Sequence, residues 1–271
     1  MAATILPAVD RQTYHDTLQV VKGFCAKADG KDKLTALVQY ACLFASAGEP
    51  GNLKKVQASV TAARKVFRIM RPLESLTPLL IQPGFQGKQA WQLEAIAKLK
   101  DILMAVYFSA DHIVWAYQIG LVSNKTVGER AQKLSLWGWA LGSVCTAVLE
   151  TIAILEAAAP RREGESDAEW EKRQDAARRE TNGRLLVLFH ALVQAGTAAG
   201  LLQVVTMRPR TVGFLGTLAS AINCYFLLPP FPRRAPKPAP APVPAPAFAA
   251  AREAGLPALE PAAGKLVPKM A

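Results

Sequence analysis

The residues best suited to chemistry in this sequence are a neighbouring carboxylate and imidazole, Asp111 and His112, within an apolar stretch. With Ser109 they supply the side-chain types of a nucleophilic hydrolase. Near-adjacent helical residues point in different directions, so these three groups cannot meet at one substrate. An ionisable residue in such a stretch is instead typical of an ion pair with a Lys or Arg of another helix, or of a polar pathway. We therefore predict no catalytic residue here.

The histidines and cysteines do not form a metal site either. Their positions share no ligand spacing: His15, His112, His190, Cys25, Cys42, Cys145 and Cys224. The sequence also lacks a P-loop, a dinucleotide-binding glycine pattern and an HExxH motif. Four cysteines without framework spacing exclude a disulfide-stapled secreted scaffold. We predict no metal, no cofactor and no enzymatic activity.

A basic amphipathic segment, residues 52–71, is the most informative local feature. On a helical wheel one face is apolar and the other cationic, and no acidic residue occurs between Asn52 and Pro72. The apolar face contains Val56, Val60, Ala63, Phe67 and Met70, whereas Lys54, Arg64, Lys65 and Arg68 lie opposite, with Lys55 and Arg71 at the margins.

This pattern is typical of a helix in the plane of an anionic phospholipid membrane, with its apolar face in the acyl boundary and its cations on lipid phosphates. An ordinary amphipathic helix packed on its neighbours gives the same periodicity. A nucleic-acid-binding helix would need an aromatic platform or a known motif, and neither accompanies it. We predict a membrane partner and no nucleic acid.

The composition of the chain predicts the helices that hold these residues. The chain has 271 residues, 51% of them hydrophobic, with 32 Lys+Arg against 21 Asp+Glu. Its apolar residues concentrate in uncharged runs, of which 185–207 and 211–232 exceed the roughly 20 residues that cross a bilayer. The run 134–149 is shorter, and 102–122 contains Asp111. We predict an all-α integral membrane protein, with N-terminal amphipathic helices followed by a hydrophobic helical bundle, and leave the number of crossings open.

The composition divides the chain into five regions. These are a basic amphipathic helical region on the cytosolic membrane surface (1–101), hydrophobic helices with the first membrane segment (102–155), a charged helical linker (156–184), hydrophobic helices with the last membrane segment (185–232), and a disordered Pro/Ala-rich tail (233–271). Asp32 is predicted to cap the second helix and Ser166 to form a capping box with Glu169. Pro72 should end the third helix, and Pro78 should lie in the following loop.

Small residues recur at packing distance in the apolar runs, as Gly138-x-x-x-Gly142 and Gly196-x-x-x-Gly200. In lipid this spacing lets helix backbones approach closely. Packing within one chain and contact between copies both fit it.

Four stretches resemble the peroxin-eleven family of peroxisomal membrane proteins, which elongate peroxisomes before division. They are the amphipathic segment VQASVTAARKVFRIMRPLESL (56–76), the stretch LMAVYFSADHIVWAYQIGLV (103–122) with Asp111, Trp115 and Gly120 in place, the polar-to-apolar helix from Arg184, and GFLGTLASAINCYFLLP (213–229) with Gly213, Gly216, Ser220 and Tyr225 in place. The resemblance covers residues 10–230, and the tail departs from it.

The resemblance implies a multi-pass protein of the peroxisomal membrane with both termini in the cytosol and crossings near 102–122 and 211–230. It implies that amphipathic insertion and homo-oligomerisation elongate the membrane and promote fission and proliferation. A dynamin-related fission GTPase and its membrane adaptors are the implied partners. The alternative is a channel or transporter for small metabolites, with Asp111 and His112 lining the pathway.

Overall fold

The computed structural model describes residues 11–87, 89–158, 161 and 164–232, which form eight α-helices and no strand. The helices are α1 (Arg11–Ala26), α2 (Ala28–Ser46), α3 (Asn52–Phe67), α4 (Arg71–Ile81), α5 (Trp91–Gln118), α6 (Lys125–Ala157), α7 (Asp167–Leu201) and α8 (Pro209–Leu227). All eight belong to one compact unit.

Prolines and capping groups set several of these bounds. The predicted end of the third helix at Pro72 is wrong, because α3 ends five residues earlier, at Phe67, and Pro72 lies in the first turn of α4, where its missing N–H is not needed. The prediction for Pro78 is wrong, because Pro78 lies inside α4. That helix ends only three residues later, and an exposed proline there leaves the freed carbonyl of Glu74 accessible to solvent. The capping box of Ser166 and Glu169 forms at the start of α7.

The helices α2, α8, α7, α6, α5 and α3 form a closed ring in which each packs against the next, and α3 returns to α2. Glycine permits the closest of these approaches. A Cβ on Gly138 of α6 would lie 2.8 Å from the carbonyl oxygen of Leu103 on α5. On α8, a Cβ on Gly216 would collide with the ring of Tyr40 from α2. The ring of helices encloses the polar side chains described below.

Two helices, α6 and α7, are long and apolar enough to cross a membrane. In the most apolar 18-residue stretch of each helix, only 28% (α6) and 33% (α7) is buried inside the protein. The core helix of a soluble protein is mostly buried. Helix α6 is long enough to cross a membrane although its uncharged run is short, because the helix continues past Glu150 to Ala157. Helices α5 and α8 cover the other two apolar runs. Among the described residues, neither of them is long and apolar enough to count as a candidate membrane crossing.

The compositional regions do not all coincide with helix ends. Helix α5 runs continuously through the boundary placed at residue 101, and α7 through the one at residue 184. Charged and apolar stretches therefore share a single helix at both places. The predicted Pro/Ala-rich tail, 233–271, lies outside the described residues.

Candidate functional site

The cationic face of α3 points into the ring of helices. Arg64, Lys65 and Arg68 are all buried, and so are two carboxylates that face them, Asp32 of α2 and Asp111 of α5. We call these five residues the buried ion cluster. Each cation pairs with a carboxylate from another helix, so the cluster joins α2, α3 and α5.

Asp32 binds two arginines. Its Oδ1 accepts hydrogen bonds from Arg64 Nε at 3.0 Å and Arg68 Nε at 2.8 Å, and its Oδ2 accepts one from Arg68 Nη2 at 3.2 Å. Lys33 lies beside it, with Nζ 3.5 Å from Oδ2. Charge-assisted bonds of this kind are among the strongest in proteins. Asp32 therefore fixes the end of α3 to α2.

Asp111 completes the cluster from the other side. Its Oδ1 accepts a hydrogen bond from Lys65 Nζ, and its Oδ2 lies 3.2 Å from Arg68 Nη1. The same Arg68 nitrogen donates to Tyr107 Oη at 2.8 Å. Arg68 thus lies between both carboxylates, as the shared cation of α2 and α5.

The cluster determines the ionisation of Asp32. Burial alone would raise the pKa of this carboxyl group. The attraction of Arg68, followed by that of Arg64 and Lys33, outweighs burial and holds the pKa of Asp32 well below its usual range. The carboxylate is therefore charged at neutral pH although it is buried.

The prediction that Arg64, Lys65 and Arg68 contact lipid phosphates is wrong, because they are buried in ion pairs. Periodicity separates the two faces of α3 but does not say which face has a partner. Asp111 was the available signal: of the two alternatives left open for it, the structure shows the ion pair with a Lys and an Arg from outside α5. Asp32 was missed as a partner: it lies inside α2 and does not cap it.

The apolar side of α3 and α4 is largely exposed. Val56 and Met70 have exposed fractions of 44% and 58%, whereas Val60 and Phe67 are half-buried at the border of the core. Arg71 is also half-buried and pairs with Asp29 and Glu74. Large apolar side chains are exposed along both helices, namely Leu53, Val56, Val66, Ile69, Met70, Leu73, Leu80 and Ile81. We call these eight residues the α3–α4 apolar surface.

The residues of the two family motifs mainly shape the bundle. Asp111 is in the ion cluster, Trp115 is half-buried, and Gly120 has the positive φ of 84° that follows the end of α5. On α8, Gly213, Gly216 and Ser220 are buried, and the two glycines lie against Phe44 and Tyr40 of α2. Tyr225 is exposed.

The glycine pairs also lie at contacts within the chain. Gly138 and Gly142 of α6 face Tyr107 and Met104 of α5, and Gly200 of α7 faces Val212 of α8. Gly196 is less tightly enclosed, since its nearest neighbour, Leu215, would lie 3.8 Å from an added Cβ. The pair Gly138/Gly142 and the single residue Gly200 therefore serve intrachain packing.

Two cavities border the buried ion cluster, with volumes of about 300 Å³ and 160 Å³. Both are lined by Arg64, Arg68 and the aromatic residues Tyr40, Tyr107 and Trp139. These five side chains contact both cavities. Among the described residues, no group of three His, Cys, Asp or Glu side chains is placed to hold a metal ion.

Comparison with known proteins gives a consistent result. The family described as Peroxisomal biogenesis factor 11 (PEX11) matches residues 18–228. Peroxisomal membrane protein 11D of Arabidopsis thaliana is 33% identical over 223 residues, covering 80% of this chain and 94% of the relative. Peroxisomal membrane protein 11-1 of Oryza sativa subsp. japonica is 31% identical over 226 residues, covering 81% and 93%. No solved structure matches the chain.

The predicted fold class is confirmed, with amphipathic helices preceding a hydrophobic bundle. The matched names are those of membrane and biogenesis proteins, and none names an enzyme.

Proposed function

Because this chain belongs to the peroxisomal biogenesis factor 11 family, we propose that it is a peroxisomal membrane protein that elongates the membrane and promotes fission and proliferation. The single observation that carries the mechanism is the orientation of α3: Arg64, Lys65 and Arg68 are held inside, and the α3–α4 apolar surface faces outward.

The apolar surface supplies the driving force for insertion. Exposed apolar side chains gain free energy when they leave water, at about 25 cal/mol per Å². Lys54 and Lys55, both exposed at the start of α3, are the cations of this helix that meet lipid phosphates. A helix pair inserted in this way expands one leaflet, which favours curvature.

The buried ion cluster keeps that surface in place. If α3 rotated about its axis, Arg64, Lys65 and Arg68 would leave Asp111 without these cations and Asp32 with only Lys33 beside it. An uncompensated buried charge is strongly unfavourable. The cluster thus holds α3 in one orientation relative to α2 and α5, so the membrane meets a fixed surface.

The topology we propose follows from α6 and α7 as the two crossings. An even number of crossings leaves both termini on the same side, and we propose that this side is the cytosol. Charge supports this orientation, because residues 1–101 carry 14 basic against 8 acidic side chains.

We propose that copies of the chain associate through exposed side chains and not through Gly138 and Gly142, which already pack α6 on α5. An apolar stripe on α6 (Leu134, Trp137, Leu141, Val144 and Val148) is exposed and available for this contact. Association concentrates the inserted helices and provides an array on which a dynamin-related fission GTPase and its adaptors assemble. Crosslinking of full-length chains in vesicles measures the association of copies.

The alternative, a metabolite channel, requires Asp111 and His112 to line a pathway. Asp111 is instead paired with Lys65 and Arg68, and His112 Nδ1 lies 2.6 Å from the carbonyl oxygen of Phe108. We therefore favour membrane elongation.

The test uses the full-length chain in vesicles of phosphatidylcholine and phosphatidylserine. Val56→Glu plus Met70→Glu places two charges on exposed positions, so the bundle should fold as before. We expect the parent to draw the vesicles into tubules, and the double variant to lose that activity. Val56→Leu plus Met70→Leu retains the apolar surface and is the matched control.

Vesicle shape is scored by electron microscopy, and organelle shape by imaging the tagged chain beside a peroxisomal matrix marker. Peroxisomes ringed by the tag and elongated with the parent, but not with the Glu variant, support the proposal. Tubules that form equally with the Glu variant contradict the insertion mechanism.

A further inference from the structure

The larger cavity beside the buried ion cluster is lined by more positive than negative charge. Four cationic side chains contribute to its wall, Lys33, Arg64, Arg68 and Arg71, against one carboxylate, Asp101. Phe108 and Trp139 add aromatic surface. At about 300 Å³ it is at the small end of the range for ligand pockets.

The ion pairs do not neutralise the wall completely. Lys33, Arg64, Lys65 and Arg68 together face two buried carboxylates, Asp32 and Asp111. Arg71 has its own partners, Asp29 and Glu74. With Lys33 included, the buried ion cluster has four cations for two anions, and Asp101 adds one carboxylate to the cavity wall. Positive charge that exceeds its anions and has little access to solvent is costly unless a counterion accompanies it.

Lys33 shows the effect of this imbalance. Desolvation of this half-buried side chain, together with repulsion from Arg68 and Arg64, lowers the pKa of its ammonium group to about 8, although Asp32 attracts it. A lysine in this condition gains stability from an additional anion within reach.

The cavity has a defined entrance and floor. Lys33, Arg71 and Asp101 have exposed fractions of 23%, 24% and 23% and mark the side open to solvent. Arg64 and Arg68, at 11% and 6%, lie at the inner end. An anion would pass Lys33 at the entrance and reach Arg64 and Arg68 at the floor. The guanidinium of Arg68 already donates to Asp32, Asp111 and Tyr107, so it contributes mainly positive charge, whereas remaining N–H groups of Arg64 can donate to phosphate oxygens.

We propose that this cavity binds a phosphate group, with Lys33 at its entrance and Arg64 and Arg68 at its floor. The phosphate belongs either to a small soluble molecule or to the headgroup of an anionic phospholipid. Both sources present the same tetrahedral oxyanion to the same side chains. The site is separate from the α3–α4 apolar surface and does not depend on its role in membrane elongation.

The test measures thermal unfolding of the full-length chain in nanodiscs. In the first arm the lipid is phosphatidylcholine alone, and inorganic phosphate is titrated against potassium chloride of equal ionic strength. In the second arm phosphate is absent, and nanodiscs of phosphatidylcholine are compared with nanodiscs that also contain phosphatidylserine.

Two variants and one control locate the site. Lys33→Met removes the entrance cation, and one lost charge-assisted contact should weaken binding about tenfold. Ser75→Phe fills the entrance beside Arg71 without removing a charge and should also weaken binding. Lys125→Met removes a lysine from the exposed pair with Glu129 and is the matched control. Each variant is compared with its own unfolding temperature in the absence of the anion.

Saturable stabilisation by phosphate that both cavity variants weaken and Lys125→Met retains supports a soluble ligand. Stabilisation only by phosphatidylserine, with the same pattern among the variants, supports a lipid headgroup. If neither anion stabilises the parent, or if Lys33→Met and Ser75→Phe respond as Lys125→Met does, the proposal is overturned.

Discussion

The guanidinium of Arg68 donates hydrogen bonds of 2.8 and 3.2 Å to the two oxygens of Asp32, which lies 36 positions earlier in the chain. The paired groups are both buried, with exposed fractions of 6% and 4%. This contact turns the cationic side of an amphipathic helix towards the interior and leaves its apolar side outside. The orientation of α3 depends on it.

Asp32→Asn should destabilise the protein strongly. The amide keeps the shape of the carboxylate but leaves Arg64 without its compensating charge and Arg68 with Asp111 alone. Removing one partner of a buried ion pair costs about 3–5 kcal/mol. The free energy of unfolding in mild detergent measures the loss. Asp175→Asn, an exposed change on α7, is the control and should stay within about 0.5 kcal/mol of the parent; equal losses in the two variants would contradict the assignment.

Acid should remove the same contribution. Folding lowers the pKa of Asp32, so its stabilising effect is fully present above the unfolded-state pKa of about 3.9 and is lost as the pH falls below that value towards the folded-state pKa. We expect the stability difference between the parent and Asp32→Asn to be constant from about pH 7 to pH 5. It should narrow as the pH falls below about 4. A difference that stays constant down to about pH 3 would show that Asp32 does not titrate as described.

Lys65 and Asp111 should be energetically coupled. Each side chain is buried and pairs with the other, so Lys65→Met and Asp111→Asn each leave a charge poorly compensated. The double variant should be more stable than the sum of the single losses predicts, by about 1–3 kcal/mol. The exposed pair Lys125 and Glu129 provides the comparison, and its coupling should be under about 1 kcal/mol. Additive effects at Lys65 and Asp111 would rule out the pairing.

Gly138→Ala should destabilise the contact between α5 and α6. The added methyl would lie 2.8 Å from the Leu103 carbonyl oxygen and 2.9 Å from the Tyr107 nitrogen, and backbone atoms cannot move aside cheaply. We expect a loss of about 1–3 kcal/mol in the free energy of unfolding. Gly183→Ala is the matched control, because Gly183 lies inside α7 with nothing within 4 Å of an added Cβ. There the substitution should stabilise by up to about 1 kcal/mol. A gain at both positions would contradict the close packing.

Local features of the fold could be predicted from the sequence because their causes are local. The capping box of Ser166 and Glu169 needs only residues three apart. Pro72 indicated a break in the helical chain, although α3 ends five residues earlier, at Phe67, and Pro72 lies in the first turn of α4. Pro78 was placed in a loop because propensity disfavours it within a helix, but a single exposed proline near a helix end is tolerated. Local rules therefore predict where helices occur better than they predict which residues lie inside them.

The candidate site was only half predictable, because its partners are distant in sequence. The two faces of α3 follow from periodicity, and the isolated charge of Asp111 indicated an ion pair. Nothing local indicates that Asp32 would face α3, since a carboxylate near the start of a helix is ordinarily read as a cap. The direction in which α3 points is decided by the packing of α2 and α5 around it, which one helix cannot encode.

The spacing of the cluster along the chain sets an order on its assembly. Asp32 precedes α3, so Arg64 and Arg68 find a carboxylate as soon as α2 and α3 meet. Asp111, the partner of Lys65, lies 46 residues later in the chain, so this ion pair cannot form until that part of the chain has been synthesised. During synthesis the nascent α3 therefore passes through an interval in which Lys65 lacks this carboxylate and the helix is held on one side only. The orientation of α3 is therefore fixed from both sides only after α5 has been synthesised.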